Sequence, residues 1–206
     1  MARRLRHLML GGGLLLAICV LTGCKTHQYI VPSPIIVEYE DPFRFPAGFL
    51  MSRHLRDQWF SQKSGIGRVD IPVGKVVLDF AKAHLENAFQ PPEQMAASAT
   101  TPVATEGFYT IRYYDRRSNQ GILIKLNSID VMLEDTTVYF RLNMNVEDAS
   151  GKIVLQKDFY GKGVPEEGKG ILQATVYKEN AIELSTAAAL SMIFDELLDD
   201  IGDLAR

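Results

Sequence analysis

The chain has 206 residues, of which 47% are hydrophobic and 23% are charged. This composition is typical of a globular protein and excludes collagen-like, coiled-coil and wholly disordered chains, and the length suits one compact domain. Its 22 basic and 25 acidic residues give a formal net charge of −3, so it lacks the basic excess of a nucleic-acid-binding protein.

Residues 1–23 have the features of a cleaved secretory signal peptide. An uncharged apolar run of 13 residues extends from Leu8 to Val20. This run is too short for a transmembrane helix, which needs about 20 apolar residues, and its length suits a signal peptide. A basic segment precedes the run and contains Arg3, Arg4, Arg6 and His7.

The sequence Leu21-Thr22-Gly23-Cys24 follows the apolar run. Small residues before a cysteine let the chain lie extended in a peptidase cleft, and the cysteine sulfur can carry a diacylglycerol. The segment resembles the lipobox of bacterial lipoproteins, which implies cleavage before Cys24 and its acylation, palmitate included. Lys25 follows where many inner-membrane lipoproteins have Asp, so the resemblance implies the outer membrane, with the protein facing the periplasm.

Cleavage before Cys24 changes the charge and the cysteine content of the chain. The signal peptide carries three arginines and no acidic residue, which leaves 19 basic and 25 acidic residues and a net charge of −6. Such a body gains no attraction to anionic lipids, so we expect the acyl chains to provide attachment, at about 0.8 kcal/mol per buried methylene. Cys24 would be the one remaining cysteine, and it would form no disulfide within the mature chain.

Residues 24–63 are interpreted as the lipidated Cys24 followed by a proline-rich tether. Ile35 to Glu40 is compatible with a short edge strand. Between Phe49 and Lys63 two interpretations stay open, a short helix capped by Ser52 or a strand from Phe49 to His54. Prolines oppose a helix in the tether, and they are Pro32, Pro34, Pro42 and Pro46.

Seven of the 19 aromatic residues of the chain precede the first predicted long helix. Aromatic side chains in an extended segment are typical of a surface that clasps a protein partner. They can equally fold back over an edge of the same domain, and we favour that packing. The candidate partner-binding residues are Phe43, Phe45, Trp59 and Phe60.

Residues 64–206 are predicted to form an α+β domain. Apolar residues recur at helical spacing from Pro72 to Gln90, and Pro91-Pro92 ends this helix. Residues 93–106 are rich in Ala, Thr, Ser and Pro, which predicts an exposed loop. A second amphipathic helix is predicted from about Asn180 to Leu204, after a glycine-bounded loop from Gly161 to Gly170.

Four strand-like runs lie between the two helices. The second run changes its alternation phase, which predicts a β-bulge near Asn127-Ser128. The third run is the most regular and has an apolar face that includes Phe140. Its other face is polar and includes Tyr139, Arg141, Asn143 and Asn145, with Asp130 from the preceding run. The four runs are Phe108–Asp115, Ile122–Leu133, Val138–Val146 and Ile153–Tyr160.

Short turns between these runs predict a four-stranded antiparallel meander. The apolar face of the sheet needs cover, and each helix has one apolar stripe to bury. The expected architecture is therefore a two-layer α+β sandwich with both helices on one face of the sheet.

No motif for metal, cofactor or nucleophilic chemistry is present in the sequence. The three histidines outside the signal peptide are far apart, and His84 on the apolar helix face is interpreted as a core residue. Residues 163–170 have the G-x-x-x-x-G-K spacing of a phosphate loop, but Gly170 replaces the required Ser or Thr. Glu166 and Glu167 would also repel phosphate, so we expect no nucleotide, metal or other cofactor.

The layout from residue 66 to residue 204 resembles YajG-like lipoproteins and the auxiliary lipoproteins of envelope lipid transporters. The features shared are the lipobox, a helix entered through Ile71-Pro72-Val73-Gly74, a meander and a long C-terminal helix. The resemblance implies a non-catalytic scaffold that contacts the bilayer through Cys24 and binds an envelope protein. Two alternatives stay open, a carrier or chaperone for lipid-like molecules and an envelope hydrolase.

Overall fold

The computed structural model describes residues 26–34, 39–64, 67–89, 108–110, 121–164 and 174–204. The predicted signal peptide, Cys24 and the predicted loop 93–106 lie outside these ranges. So do residues 35–38 of the suggested edge strand, residues 111–115 of the first predicted meander strand and residues 165–170 of the phosphate-loop-like segment.

Eight strands and three helices occur in the described part of the chain. The strands are β1 (Thr26–Tyr29), β2 (Ala47–Ser52), β3 (Phe60–Ser64), β4 (Gly67–Ile71), β5 (Phe108–Thr110), β6 (Ile122–Glu134), β7 (Thr137–Asp148) and β8 (Ile153–Gly163). The helices are α1 (Arg53–Arg56), α2 (Val73–Ala88) and α3 (Ala174–Leu204).

The larger sheet has five strands in the order β5-β2-β6-β7-β8. Strands β6, β7 and β8 form the antiparallel meander that the sequence predicts, and the α+β class is confirmed. The predicted position of the first strand is wrong, because β2 lies parallel to β6 and β5 pairs with β2. The buried Phe49 and Met51 account for this position of β2 at the core.

Each of the two interpretations of the segment after Phe49 is right in part, because the strand stops before His54 and the helix does not reach Trp59. Strand β2 ends at Ser52, and the Ser52 hydroxyl then caps α1 by accepting a hydrogen bond from the Leu55 backbone N–H at 3.3 Å. The short helix turns the chain from the larger sheet into a second, smaller sheet.

The smaller sheet has three strands in the order β1-β4-β3, with β1 parallel to β4 and β3 antiparallel to it. Side-chain amides of Gln58 and Gln62 donate hydrogen bonds of 2.9 Å to the backbone oxygens of Ile129 and Leu133 in β6. The segment interpreted as a tether therefore supplies strands to both sheets, and residue 64 does not separate a linker from a domain.

The predicted bulge and the predicted apolar face are both confirmed. The register between β6 and β7 shifts between Leu126 and Ser128, at the predicted site. The apolar face of β7 is buried throughout and consists of Val138, Phe140, Leu142, Met144 and Val146.

Helix α3 packs across β7 and β8, while α2 packs against α3 and β2, and both contribute to one hydrophobic core with the sheet.

The long helix α3 begins at Ala174, six residues before the predicted start. The expected loop is also wrong at Gly161 and Gly163, which belong to β8. Both glycines let the helix backbone cross the strand closely, since an added Cβ would overlap the carbonyl oxygens of Ala189 and Ser185. Within the described ranges, no helix combines the length and apolar character needed to cross a membrane.

Candidate functional site

The four aromatic residues that the sequence singled out do not form one surface. Phe43 and Phe45 form a cluster with Phe89, with ring centroids 4.9 to 5.5 Å apart. Phe60 is also partly buried against the core. Trp59 differs, because 52% of its surface is exposed.

Trp59 belongs to a surface that we call the small-sheet face. Its ring lies 5.5 Å from that of Tyr29, which is 55% exposed. Strand pairing places a row of three basic side chains beside these rings, since Arg68 lies between His27 and Lys63. The next row contains Tyr29, Asp70 and Ser61. The small-sheet face consists of His27, Tyr29, Trp59, Ser61, Lys63, Arg68 and Asp70.

Asp70 connects the three strands of the small-sheet face. Its nearly buried carboxylate accepts hydrogen bonds from Ser61 and His27, and from Arg68 Nε at 3.0 Å. The hydrogen bonds from Ser61 and then His27 hold the pKa of Asp70 well below its usual range. The Ser61 hydroxyl donates to the carboxylate, so it is not arranged as a nucleophile activated by a histidine. This cluster therefore joins strands.

A second exposed surface is the outer side of β6, β7 and β8, which we call the meander face. Its residues come in cross-strand rows of Met132, Tyr139 and Lys162, then Asp130, Arg141 and Tyr160, then Ser128, Asn143 and Asp158. Tyr160 is 61% exposed and Met132 is 48% exposed.

The charges of the meander face are already compensated within it. Arg141 Nε donates to Asp130 at 3.0 Å, and Lys162 Nζ lies 5.6 Å from the centre of the Tyr139 ring. Asn143 donates to Asp158 at 2.6 Å. Tyr160 and Met132 project from this internally paired surface.

The sequence predicted the polar side of β7 but did not single out Tyr160 or Met132. Met132 lies on a strand whose alternation was recognised. Tyr160 could not be placed from turn length alone, because the register shift between Val146 and Glu147 moves it beside Arg141, where an unshifted register would put Phe159. Tyr29 was one residue of the aromatic cluster, and its pairing with Trp59 depends on the unpredicted contact of β1 with β4.

His84 is a core residue, as predicted, and is 1% exposed. Its Nδ1 lies 3.1 Å from the hydroxyl of Tyr39, which donates to Asp195 at 3.4 Å. The ring stacks against Phe194 at a centroid distance of 5.4 Å. Burial lowers the pKa of His84, although the nearby Asp195 carboxylate opposes this shift.

The lowered pKa of His84 predicts a pH dependence of stability. A lowered pKa means that the unfolded chain binds the proton more readily than the folded chain does. The free energy of unfolding is therefore highest above the unfolded pKa of about 6.5 and declines as the pH falls below it. We expect a lower midpoint of urea unfolding at pH 5.5 than at pH 7.5, and a smaller difference for His84→Gln. Equal differences in the two proteins would contradict this role of His84.

A cavity of about 290 Å³ opens near the C-terminal end of α3. Its walls are mainly apolar and include Phe45, Ile122, Val146, Ile201 and Leu204. The volume is just under the range of about 300–1,000 Å³ that is usual for small-molecule sites. Among all the residues that the structure describes, no group of three or more His, Cys, Asp or Glu side chains is placed to hold a metal ion.

No protein-family model matches the chain, and no curated protein matches it. Among solved structures, the chain is similar to the crystal structure of protein XCC0632 from Xanthomonas campestris, of the DUF330 family. The identity is 9% and the TM-score is 0.34, and the match covers 85% of this chain and 99% of that chain. A likeness at this TM-score supports no conclusion about fold or function, so the proposals that follow depend on the residues of this chain.

Proposed function

We propose that the protein is an outer-membrane lipoprotein, anchored through acylated Cys24 and facing the periplasm. We further propose that it acts as a non-catalytic scaffold or accessory subunit of a cell-envelope complex. The basic segment, the apolar run and the lipobox-like Leu21 to Cys24 support the anchor. The meander face supports the binding of a protein partner.

The observation that carries the scaffold role is the exposure of Tyr160 and Met132 beside Arg141 on the meander face. Tyr, Met and Arg are enriched in protein interfaces, and tyrosine and arginine are frequent binding hot spots. Because Arg141 is already paired with Asp130, its charge is oriented before a partner arrives. The polar clusters around Asp70 and His84 join strands and helices, which fits a non-catalytic protein.

The anchor is tested by Cys24→Ala in the full chain. Without the sulfur no diacylglycerol can be attached, so we expect an uncleaved or soluble precursor in place of an outer-membrane protein. Membrane fractionation and the intact mass of the protein measure both effects. If the variant still fractionates with the outer membrane, the lipoprotein proposal is wrong.

The partner surface is tested by photo-crosslinking in cells. A photoreactive phenylalanine analogue at Tyr160 should capture one envelope protein, because this side chain projects from the meander face. The same analogue at Leu184, which is 60% exposed on α3, is the matched control and should capture it far less. Equal capture at the two positions would argue against the meander face as the interface.

A second candidate function is a carrier or chaperone for lipid-like molecules. The mainly apolar cavity beside Phe45 and Leu204 favours it. Its small volume suits only part of an acyl chain, so we rank this function second. A carrier would retain a defined lipid through extraction in the absence of a protein partner.

A further inference from the structure

We infer that the small-sheet face lies on the phospholipid surface and thereby fixes the orientation of the domain. The inference rests on the lipid anchor proposed above. It adds which side of the domain touches the membrane. A lipid anchor alone would tie the domain to the bilayer without fixing its orientation.

The short distance from the anchor to β1 is the first argument. Strand β1 begins at Thr26, two residues after Cys24. An extended chain spans about 3.3–3.6 Å per residue, so the start of β1 lies within about 7 Å of the acylated residue and Tyr29 within about 18 Å. A face held this close meets the membrane at a high effective concentration, so a weak intrinsic affinity is sufficient.

The aromatic pair of the small-sheet face is the second argument. The rings of Tyr29 and Trp59 pack on each other, and each is more than half exposed. Tyrosine and tryptophan combine an apolar ring with a polar group, and they are enriched where membranes meet water. A pair of them beside a lipid anchor therefore suits the headgroup region.

The charge of the face is the third argument. His27, Arg68 and Lys63 form one row across all three strands, and each of these side chains is exposed. This row is adjacent to Thr26, which lies opposite Gly67, so the basic residues are nearest to the anchor. The carboxylate on the face, Asp70, is nearly buried and already accepts hydrogen bonds. Because Asp70 offsets the charge of Arg68, Lys63 gives the face a positive balance, which it presents to lipid phosphates although the mature chain as a whole is acidic.

The test uses the full lipidated protein reconstituted in vesicles of phosphatidylethanolamine and phosphatidylglycerol. The chain has a single tryptophan, so its fluorescence reports on Trp59 alone. Phospholipids with a nitroxide near the headgroup should quench Trp59 strongly, and lipids with a nitroxide deep in the acyl chain should quench it less. Flotation of the vesicles and the mass of the Cys24 peptide are measured on the same sample.

Charge reversal at the cationic row should weaken this contact. For Lys63→Glu we expect the ratio of docked to undocked protein to fall about fivefold or more. Lys152→Glu makes the same charge change at an exposed residue before β8 and should leave the quenching unchanged. Arg68→Gln is a second variant, which removes a cation of the row without adding a negative charge.

We expect quenching of Trp59 at the level of the headgroups. Lys63→Glu should reduce this quenching, and Lys152→Glu should not. Protein that floats with the vesicles but shows no quenching would overturn the inference and leave the anchor intact. Protein that neither floats nor carries acyl chains on Cys24 would overturn the anchor and the inference together. Emission of Trp59 that changes only when an envelope protein is added would assign the face to a protein partner and overturn its contact with lipid.

Discussion

Phe140→Ala is expected to lower the free energy of unfolding by about 3–5 kcal/mol. Phe140 is buried on the apolar face of β7, which α3 covers. Its removal loses the transfer free energy of a large ring and leaves a cavity that the surrounding strands and helix fill only in part. Urea unfolding followed by circular dichroism measures the loss.

Met132→Ala is the matched control for Phe140→Ala, because Met132 is half exposed on the opposite side of the meander. We expect its effect to stay within about 1 kcal/mol. A loss below about 1 kcal/mol for Phe140→Ala as well would contradict the assignment of the buried face.

Gly163→Ala is expected to force α3 away from β8 and to destabilise the protein by about 3 kcal/mol. An alanine Cβ at this position would overlap the backbone carbonyl oxygen of Ser185 in the middle of α3. Backbone on both sides of the contact cannot yield by a change of rotamer, so the helix itself has to shift. Urea unfolding again gives the magnitude.

Gly202→Ala, in α3 itself, is the control for the same Gly→Ala change. There the new Cβ would meet the Phe43 ring at 3.7 Å, an ordinary van der Waals distance. Alanine also favours a helix over glycine by about 1 kcal/mol, so this variant should be neutral or slightly more stable. If Gly163→Ala behaves like Gly202→Ala, α3 does not cross β8 as closely as the structure has it.

Local patterns in the sequence predicted the parts of the fold that depend on neighbouring residues. The meander followed from short turns, the bulge from one change of phase, and α2 from helical spacing between Pro72 and Pro91. His84 was assigned to the core from its place on the apolar stripe of α2. Each of these features depends on residues that are close together in the chain.

The parts that were missed depend on contacts between distant segments. The parallel pairings of β1 with β4 and of β2 with β6 have no turn between them to reveal the partner strand. Gly161 and Gly163 resemble loop residues in a sequence, because their role appears only when α3 lies across them. The same limit applies to the candidate surfaces, since Tyr29 meets Trp59 only through the smaller sheet.

We propose that this chain serves as a scaffold for an envelope protein. The most direct test is gentle extraction of the tagged, lipidated protein, with mass spectrometry of the proteins and the lipids in the same eluate. We predict one envelope protein in near-equal amount to the tagged chain. A defined lipid retained in the absence of any such protein would contradict the scaffold and favour the carrier.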